Sequence, residues 1–220
     1  MPRARYAHLG RVYDLVSGEP LYAAGRRAAV EMIHVERGAR VLVVGCGTAP
    51  ELPDLLARTG PGGRVVGLDA SASMLAAARR RAERSGGADV VRLVRGDAAR
   101  VAAGVLREAL GGPADAVLLP YCLSLVPQRR RAWDTALAAA RPGARVAVVD
   151  TTVARGPLPA RLASRAACAL GGVRVDARTW RYAEELDDVG ALTLLRGHVE
   201  VRAGTLPRDE RTGRGGPGAG

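Results

Sequence analysis

The stretch VLVVGCGTAPE, residues 41–51, decides the fold. Its first four apolar residues predict a buried strand, and Gly45 and Gly47 allow the backbone to turn sharply and to approach a ligand. Pro50 suits the first turn of a helix, where its missing N–H group would have no partner. A strand, a glycine turn and a helix start together predict a site that holds a nucleotide-like cofactor at a helix N-terminus.

Apolar runs and helical stretches alternate on both sides of this turn. Runs at 40–45, 64–69, 89–94, 115–120 and 144–150 predict strands that are covered on both faces of a parallel sheet. Helical stretches follow at 50–59, 73–85, 98–110, 129–142 and 157–170, which is typical of an open, doubly wound α/β sheet. Two short runs, 192–196 and 198–204, flank Gly197 and predict a closing hairpin. Such sheets bind ligands at the carboxyl ends of their strands.

The length and composition indicate one soluble domain. Its 220 residues suit a single core, and no apolar run reaches the roughly 18 residues that a membrane span needs. We expect a helical cap over residues 1–36, the main domain over 37–206 and a disordered tail over 207–220. The N-terminus lacks the apolar stretch of a signal peptide, and the three scattered cysteines lack metal-ligand spacing. These features predict a cytoplasmic protein with neither a metal site nor a disulfide framework.

All of the basic side chains are arginine. The chain has 33 arginines, no lysine and a net charge of +11. The absence of lysine excludes Schiff-base enzymes and P-loop nucleotidases. RRRAER (79–84) and QRRR (128–131) raise the alternative of an RNA-binding protein or RNA methyltransferase. Aromatic residues that could stack on bases are few, so nucleic acid is disfavoured and these arginines are expected on solvated faces.

Two aspartates follow consecutive predicted strands. Asp69 ends the second strand, where a carboxylate can accept hydrogen bonds from both hydroxyls of a ribose. Asp97 follows Gly96 at the end of the third strand, where it can accept from the exocyclic amine of an adenine. Either aspartate can instead cap the helix that follows it, and Met74 can pack on a purine or in the core. Pro50 occupies the position at which a dinucleotide fingerprint needs glycine, which disfavours nicotinamide and flavin cofactors.

These segments, together with VRGDAAR (94–100), DAVLLPYCLSLVP (115–127) and ARPGARVAVVD (140–150), resemble class I S-adenosylmethionine (SAM) dependent methyltransferases over about residues 10–206. The resemblance implies a Rossmann-like, mostly parallel seven-stranded sheet with an antiparallel last strand, and SAM as the cofactor. In that family the glycine turn cradles the amino-acid part of SAM, and the two acids hold the ribose and the adenine. The cofactor-binding residues that it implies are Tyr13, Gly45, Cys46, Gly47, Asp69, Ala70, Met74, Gly96, Asp97, Ala98 and Tyr121.

Two segments narrow the resemblance further. YDLVSGEPLYAAGRRAAVEMI (13–33) and YCLSLVPQRRRAWDTALAAARPG (121–143) are similar to bacterial phosphatidylethanolamine, betaine-lipid and quinone methyltransferases. In that branch a tyrosine–aspartate pair in the cap helps to close the site, and Tyr13 and Asp14 match it. Tyr13 can equally be an anchoring, half-buried tyrosine. The implied acceptor is a small molecule or a lipid headgroup.

Two positions depart from the family pattern. Val43 stands where an acid normally fixes the SAM ammonium, and Ala49 stands at the third glycine. Loss of the acid removes a contact worth about 1.5–3 kcal/mol, so an acid introduced at 43 should tighten SAM binding. The methyl group of alanine is tolerated where the backbone keeps a negative φ. A catalytically weak SAM-binding protein is therefore an alternative to an active enzyme.

Methyl transfer from a sulfonium is an in-line displacement that positioning alone can accelerate. Where a proton must leave the acceptor, the candidate bases are His8, Tyr13 and Tyr121, with Tyr13 and Tyr121 preferred. His34 and His198 are expected to serve structure. The stretch 160–178 is basic and partly apolar, so it either makes a peripheral contact with anionic lipid or covers the substrate pocket.

Overall fold

The computed structural model of the protein describes residues 19–175 and 177–208. His8, Tyr13 and Asp14 lie outside the described residues, as do much of the expected cap and most of the expected tail. The described helices are α1 (Glu19–Met32), α2 (Leu52–Thr59), α3 (Ala72–Arg84), α4 (Ala103–Leu110), α5 (Arg129–Ala139) and α6 (Leu158–Leu170). The strands are β1 (Arg40–Val44), β2 (Arg64–Asp69), β3 (Val91–Arg95), β4 (Ala114–Pro120), β5 (Ala140–Thr151), β6 (Asp187–Leu194) and β7 (Val199–Thr205).

The seven strands form one sheet in the order β3-β2-β1-β4-β5-β7-β6. Strands β1 to β5 are parallel, and β7 runs antiparallel to both β5 and β6. The predicted fold class is therefore confirmed. Chain order reverses between β1 and β4, and in open α/β sheets the crevice outside such a point is where ligands bind.

Four element boundaries differ from the sequence prediction by three residues or more. Helix α5 ends at Ala139, and β5 begins at Ala140, which pairs with Ala114. Pro142 explains the early end, because proline removes a helical hydrogen bond and restricts the residue before it. Helix α4 begins at Ala103, since residues 97–101 form turns instead. Strand β6 begins at Asp187 and lies at the sheet edge, where an exposed strand needs no apolar run.

Two apolar clusters cover the two faces of the sheet. The first packs α1, α2 and α3 on one face through residues such as Ile33, Leu55 and Ala78. The second packs α4 and α5 on the other face around Leu106 and Trp133, which is fully buried. This three-layer arrangement holds the strand ends rigidly in place. No described helix is both long and apolar enough to cross a membrane.

Candidate functional site

The glycine turn after β1 has the backbone that its sequence predicts. Gly45 and Gly47 have φ values of +66° and +55°, in the left-handed region that favours glycine. A β-carbon on Gly45 would lie 2.2 Å from the β-carbon of Cys122, so the loop after β4 crosses directly against this turn. A β-carbon on Gly47 would meet no described atom within 4 Å. Gly45 is thus required by packing, and Gly47 leaves open space where a ligand can approach.

Asp69 at the end of β2 holds this turn. Its carboxylate accepts hydrogen bonds from the backbone N–H of Gly47 at 2.9 Å and from that of Ser71 at 2.8 Å. Burial raises the pKa of Asp69, and the Ser71 and Gly47 N–H bonds oppose that rise. A carboxylate has about four acceptor positions, so these two bonds leave acceptor capacity for a ribose hydroxyl.

The other predicted cofactor residues gather at the same edge. The Gly96 N–H donates to the Asp69 carbonyl at 3.0 Å, which brings the ends of β2 and β3 together. Asp97 accepts from the Ala99 N–H at 3.0 Å, so it shapes the turn that follows it, but it does not cap α4, whose N-cap residue is Ala102. Met74 is buried, yet it belongs to neither apolar cluster of the described core. Ala70 is exposed and Ala98 is half-buried.

The thiols at the turn are structural. Cys46 donates its backbone N–H to Leu68 and buries its side chain in the first apolar cluster. Cys122 donates its thiol to the Val44 carbonyl at 3.1 Å. Burial raises the pKa of both thiols well above the usual value, so neither is a nucleophile at neutral pH. Cys46 thus has only its backbone to offer a cofactor.

The two departures from the family pattern have different structural consequences. Ala49 has a φ of +52°, so the condition under which its methyl group would be tolerated without strain is not met. Val43 is buried and lines a cavity of about 10 Å³ together with Cys46, Ala49 and Glu51. Glu51 is only 3% exposed. An acidic side chain therefore borders this cavity, but from the start of α2 rather than from β1, which the strand pattern could not indicate.

Tyr121 follows β4 on the opposite side of the switch point. Its backbone has a φ of +51°, and its hydroxyl donates to the Tyr22 carbonyl in α1 at 3.0 Å. Gly25 permits this approach, because a β-carbon there would lie 2.2 Å from the Tyr121 hydroxyl. The Tyr121 proton is thereby used to anchor α1 across the strand ends. This contact gives the Tyr121 hydroxyl a positioning role, and its role as a base stays a prediction.

A tyrosine and a histidine form a hydrogen-bonded pair beside it. The Tyr22 hydroxyl lies 3.2 Å from Nε2 of His198, whose Nδ1 contacts the Thr152 carbonyl. Because a carbonyl only accepts, Nδ1 carries the proton, so Nε2 of a neutral imidazole accepts from Tyr22. Desolvation by burial raises the pKa of Tyr22. The sequence position of His198 predicts a structural role, and nothing in the sequence marks Tyr22, because only the fold brings residues 22 and 198 together.

A buried carboxylate fixes the loop after β4, which carries Tyr121 and Cys122. Asp150 is fully buried, and its two oxygens accept from the Ser124 N–H and hydroxyl, the Thr151 N–H and the Thr179 hydroxyl. Burial raises the pKa of Asp150, and these hydrogen bonds oppose that rise. Because Ser124 is two residues from Cys122, the network holds the β4 loop against Gly45. The apolar strand pattern around Asp150 gave no indication of it.

Comparison with known families agrees with this geometry. A family model described as "Methyltransferase domain" matches residues 42–146. That stretch includes the glycine turn, Asp69, Asp97 and Tyr121. Residues 42–146, just under half of the chain, are therefore similar to a methyltransferase domain. No curated protein matches the sequence significantly.

Solved structures of methyltransferases have the same fold. A SAM-dependent methyltransferase from Aquifex aeolicus is 16% identical, with a TM-score of 0.59 over 89% of this chain and 97% of that one. A Haemonchus contortus phosphoethanolamine N-methyltransferase, solved with phosphomonomethylethanolamine and S-adenosylhomocysteine, is 14% identical with a TM-score of 0.67 over 94% and 61%. A Salinibacter ruber RNA methyltransferase with S-adenosylhomocysteine is 19% identical with a TM-score of 0.53 over 84% and 91%. At these identities the similarity shows a shared fold only, and it does not identify the methyl acceptor.

Proposed function

We propose that this domain transfers the methyl group of SAM to a nitrogen or oxygen nucleophile of a small molecule or lipid headgroup. The observation that carries the proposal is the pairing of two half-sites at one edge of the sheet. Gly47 and Asp69 lie at the ends of β1 and β2, and the Tyr22–His198 pair lies beside the ends of β4, β5 and β7. The switch point between β1 and β4 separates the two halves.

The first half fits SAM. Gly47 opens on space that a ligand can fill, and the Asp69 carboxylate has acceptor positions for the ribose hydroxyls. Gly96 and Asp97 lie next to Asp69, where they can hold the adenine. SAM supplies a methyl group on a positively charged sulfur, which needs an aligned nucleophile more than it needs an acid.

The second half supplies a route for the proton of the acceptor. An acceptor hydroxyl or ammonium that hydrogen-bonds to the Tyr22 oxygen can pass its proton there while the Tyr22 proton moves to Nε2 of His198. The Thr152 carbonyl holds the Nδ1 proton and stabilises the resulting imidazolium. The base is thus His198, acting through Tyr22, rather than Tyr121. Tyr13 lies outside the described residues and stays a predicted contributor to closing the site.

The packing of Trp133, Trp180, Tyr22 and Tyr121 favours a small acceptor over RNA. Trp133 is fully buried, and Trp180 packs against the second core cluster. Among the described residues, Tyr22 and Tyr121 are packed on each other with ring centres 5.2 Å apart. None of these rings is presented for stacking on an extended strand of bases, which is how single-stranded RNA is usually held.

Calorimetry with SAM and S-adenosylhomocysteine tests the cofactor half. The wild type should bind both ligands, and Asp69→Ala should weaken both by 10-fold or more, since a charge-assisted bond is worth about 1.5–3 kcal/mol. Asp134→Ala is the control, because Asp134 lies on an exposed face of α5 and should leave affinity unchanged. Failure of the wild type to bind either ligand at millimolar concentration would contradict the proposal.

Transfer of a labelled methyl group from SAM to panels of amines, phenols and extracted lipids tests the acceptor half. With any acceptor found, His198→Gln should lower kcat, and Tyr22→Phe should lower kcat similarly. Equal rates in the wild type and both variants would rule out proton transfer through Tyr22 to His198. Tight S-adenosylhomocysteine binding without transfer to any acceptor would favour the alternative of a SAM-binding protein, to which the apolar Val43 points.

A further inference from the structure

Helix α6 is attached to the domain by two small polar side chains. The Ser164 hydroxyl accepts from the Ala154 N–H at 2.9 Å, and the Cys168 thiol contacts the Thr152 carbonyl at 3.7 Å. These are the buried residues of the helix, one turn apart on the same side. The inward side of α6 is therefore narrow and partly polar.

The outward side of the same helix is apolar. Leu158 and Leu162 are 63% and 57% exposed, and Leu170 near the C-terminus is 83% exposed. Leu158, Leu162, Ala166 and Ala169 recur at intervals of three and four residues, so they share one face, and all four are exposed. We call this set, with Leu170, the outer face of α6. A surface helix of a globular protein normally has the reverse arrangement, with polar residues outside.

The charge around the outer face has one sign. Residues 153–175 include four arginines and no acidic residue. Arg161 and Arg165 are exposed one turn apart and border the outer face. Exposed leucines flanked by arginines are typical of helices that lie in the headgroup region of a bilayer. Arginine also suits phosphate in particular, because its planar guanidinium can donate two parallel hydrogen bonds.

Helix α6 adjoins the acceptor half of the site through its inward side. Helix α6 follows the carboxyl end of β5 after a short loop, and the Arg155 N–H in that loop donates to the Arg196 carbonyl at 2.7 Å. Leu195, next to that contact, is 43% exposed. Thr152 in the same loop contacts both His198 and Cys168. A surface on which α6 rests would therefore lie one helix thickness away from the acceptor half.

We propose that the outer face of α6 docks on an anionic phospholipid surface. The leucines enter the boundary between headgroups and acyl chains, and Arg161 and Arg165 contact lipid phosphates. A convex single helix offers no groove for a protein partner, and the absence of acidic residues complements a negatively charged surface. This inference deepens the proposed function, because a docked enzyme would take its acceptor from the headgroup layer, and it rests on that function only for this last step.

Co-sedimentation with vesicles tests the docking. The full chain should sediment with vesicles of phosphatidylcholine mixed with phosphatidylglycerol, sediment little with phosphatidylcholine alone, and be released by salt. The double variant Leu158→Ser, Leu162→Ser should bind the mixed vesicles about 10-fold more weakly, since each change removes apolar area from the contact. Val105→Ser is the matched control, because Val105 is 46% exposed on α4, away from this face.

A second pair of variants separates charge from apolar contact. Arg161→Gln with Arg165→Gln should weaken binding to mixed vesicles several-fold, whereas Arg79→Gln with Arg80→Gln on α3 changes the charge equally and should not. Binding that falls equally in both pairs reflects net charge alone and overturns the proposal. No sedimentation of the wild type with mixed vesicles also overturns it, as does a wild-type dimer that the leucine double variant dissociates.

Two controls keep this test independent of catalysis. All variants should keep the wild-type thermal midpoint, because the changed side chains are exposed. They should also bind S-adenosylhomocysteine as the wild type does. Vesicle binding with no cofactor binding would contradict the proposed function alone, and cofactor binding with no vesicle binding would contradict the docking alone.

Discussion

At the scale of single residues, Ala49 has the most unfavourable backbone in the glycine turn. Its φ of +52° brings the alanine β-carbon close to the following carbonyl, which costs about 1–2 kcal/mol. The residue is also buried, so the strain is held in place by the packing of the loop. Strained backbones of this kind persist only where the surrounding structure determines them.

Replacing Ala49 by glycine should therefore stabilise the protein. We expect Ala49→Gly to raise the free energy of unfolding by about 1 kcal/mol, because the relief of strain exceeds the extra entropy of the unfolded chain. Urea denaturation measures it. Ala76→Gly, on an exposed helical position of α3, should do the opposite and cost about 0.5–1 kcal/mol. A loss of stability at both positions would show that the alanine at 49 is unstrained.

An acidic residue at position 43 should lower the stability of the protein, an effect that the family pattern alone does not indicate. Val43→Asp places a carboxyl group in the core, beside the cavity that Glu51 also lines. We expect the free energy of unfolding to fall by several kcal/mol, because a buried charge without a partner is costly. Calorimetry on the folded fraction then tests whether SAM binding tightens. Unchanged stability would mean that the new carboxylate reaches a cation or water.

The raised pKa of Asp69 predicts how cofactor affinity depends on pH. Because burial raises this pKa, Asp69 takes up its proton at a less acidic pH than an ordinary aspartate. The protonated group loses acceptor capacity for Gly47 and for the ribose, so SAM affinity should be constant at neutral pH and fall as the pH drops through that pKa. Calorimetry across this range measures it, and Asp69→Asn should show weak binding with little pH dependence. An affinity that rises toward acid pH would contradict the assignment.

The glycine turn and the aspartate at the end of β2 could be located from sequence because their residues follow local rules. Gly45, Gly47 and Asp69 each end a recognisable apolar run, and the turn chemistry of glycine marks the place. Tyr22 and His198 are 176 positions apart and meet only after the sheet forms. Ala49 shows a further limit, since a sequence identifies a departure from a pattern but not the backbone angle at which the residue is held.

At the scale of elements, the short 3₁₀ turn at Leu123–Leu125 depends on one carboxylate. Asp150 accepts four hydrogen bonds, two of them from Ser124, and so ties this turn to the end of β5. A fully paired buried carboxylate fixes the loop that packs on Gly45. The same acid accepts from Thr179 and thereby attaches the 179–185 segment.

Asp150→Asn tests this dependence. The amide replaces one oxygen by a donor, so two of the four hydrogen bonds are lost and an N–H group faces other donors. We expect a fall of about 3 kcal/mol in the free energy of unfolding, since bonds to a charged group are worth about 1.5–3 kcal/mol each. Chemical denaturation measures it, and Asp134→Asn on the exposed face of α5 should change stability by less than about 0.5 kcal/mol. Equal losses of stability in Asp150→Asn and Asp134→Asn would contradict the structural role given to Asp150.

Some helix and strand boundaries can be predicted from local sequence, and others cannot. The early end of α5 follows from Pro142, a signal present in the sequence but outweighed by the alanine-rich stretch before it. The start of β6 at Asp187 could not be predicted, because its residues are exposed and pair only with β7. Apolar periodicity identifies buried strands, and edge strands lack that signal.

At the scale of the whole molecule, cofactor binding should stabilise the fold across the switch point. S-adenosylhomocysteine at about 100 times its Kd adds about 2.7 kcal/mol to the free energy of unfolding. For a chain of this size that corresponds to a rise of about 5–10 °C in Tm. Thermal denaturation followed by circular dichroism measures it. NAD should give no shift, because Pro50 replaces the glycine that a dinucleotide needs, and an equal shift with NAD would contradict the choice of cofactor.

The burial of every thiol has a practical consequence for labelling. Cys46, Cys122 and Cys168 are all buried, and burial raises the pKa of each thiol. The chain also has no lysine, so maleimide and amine-reactive dyes find few native targets. A cysteine introduced on α6, as in Ala163→Cys, would react far faster than the three native thiols. A polarity-sensitive fluorophore attached there would report directly how deeply the helix enters a bilayer.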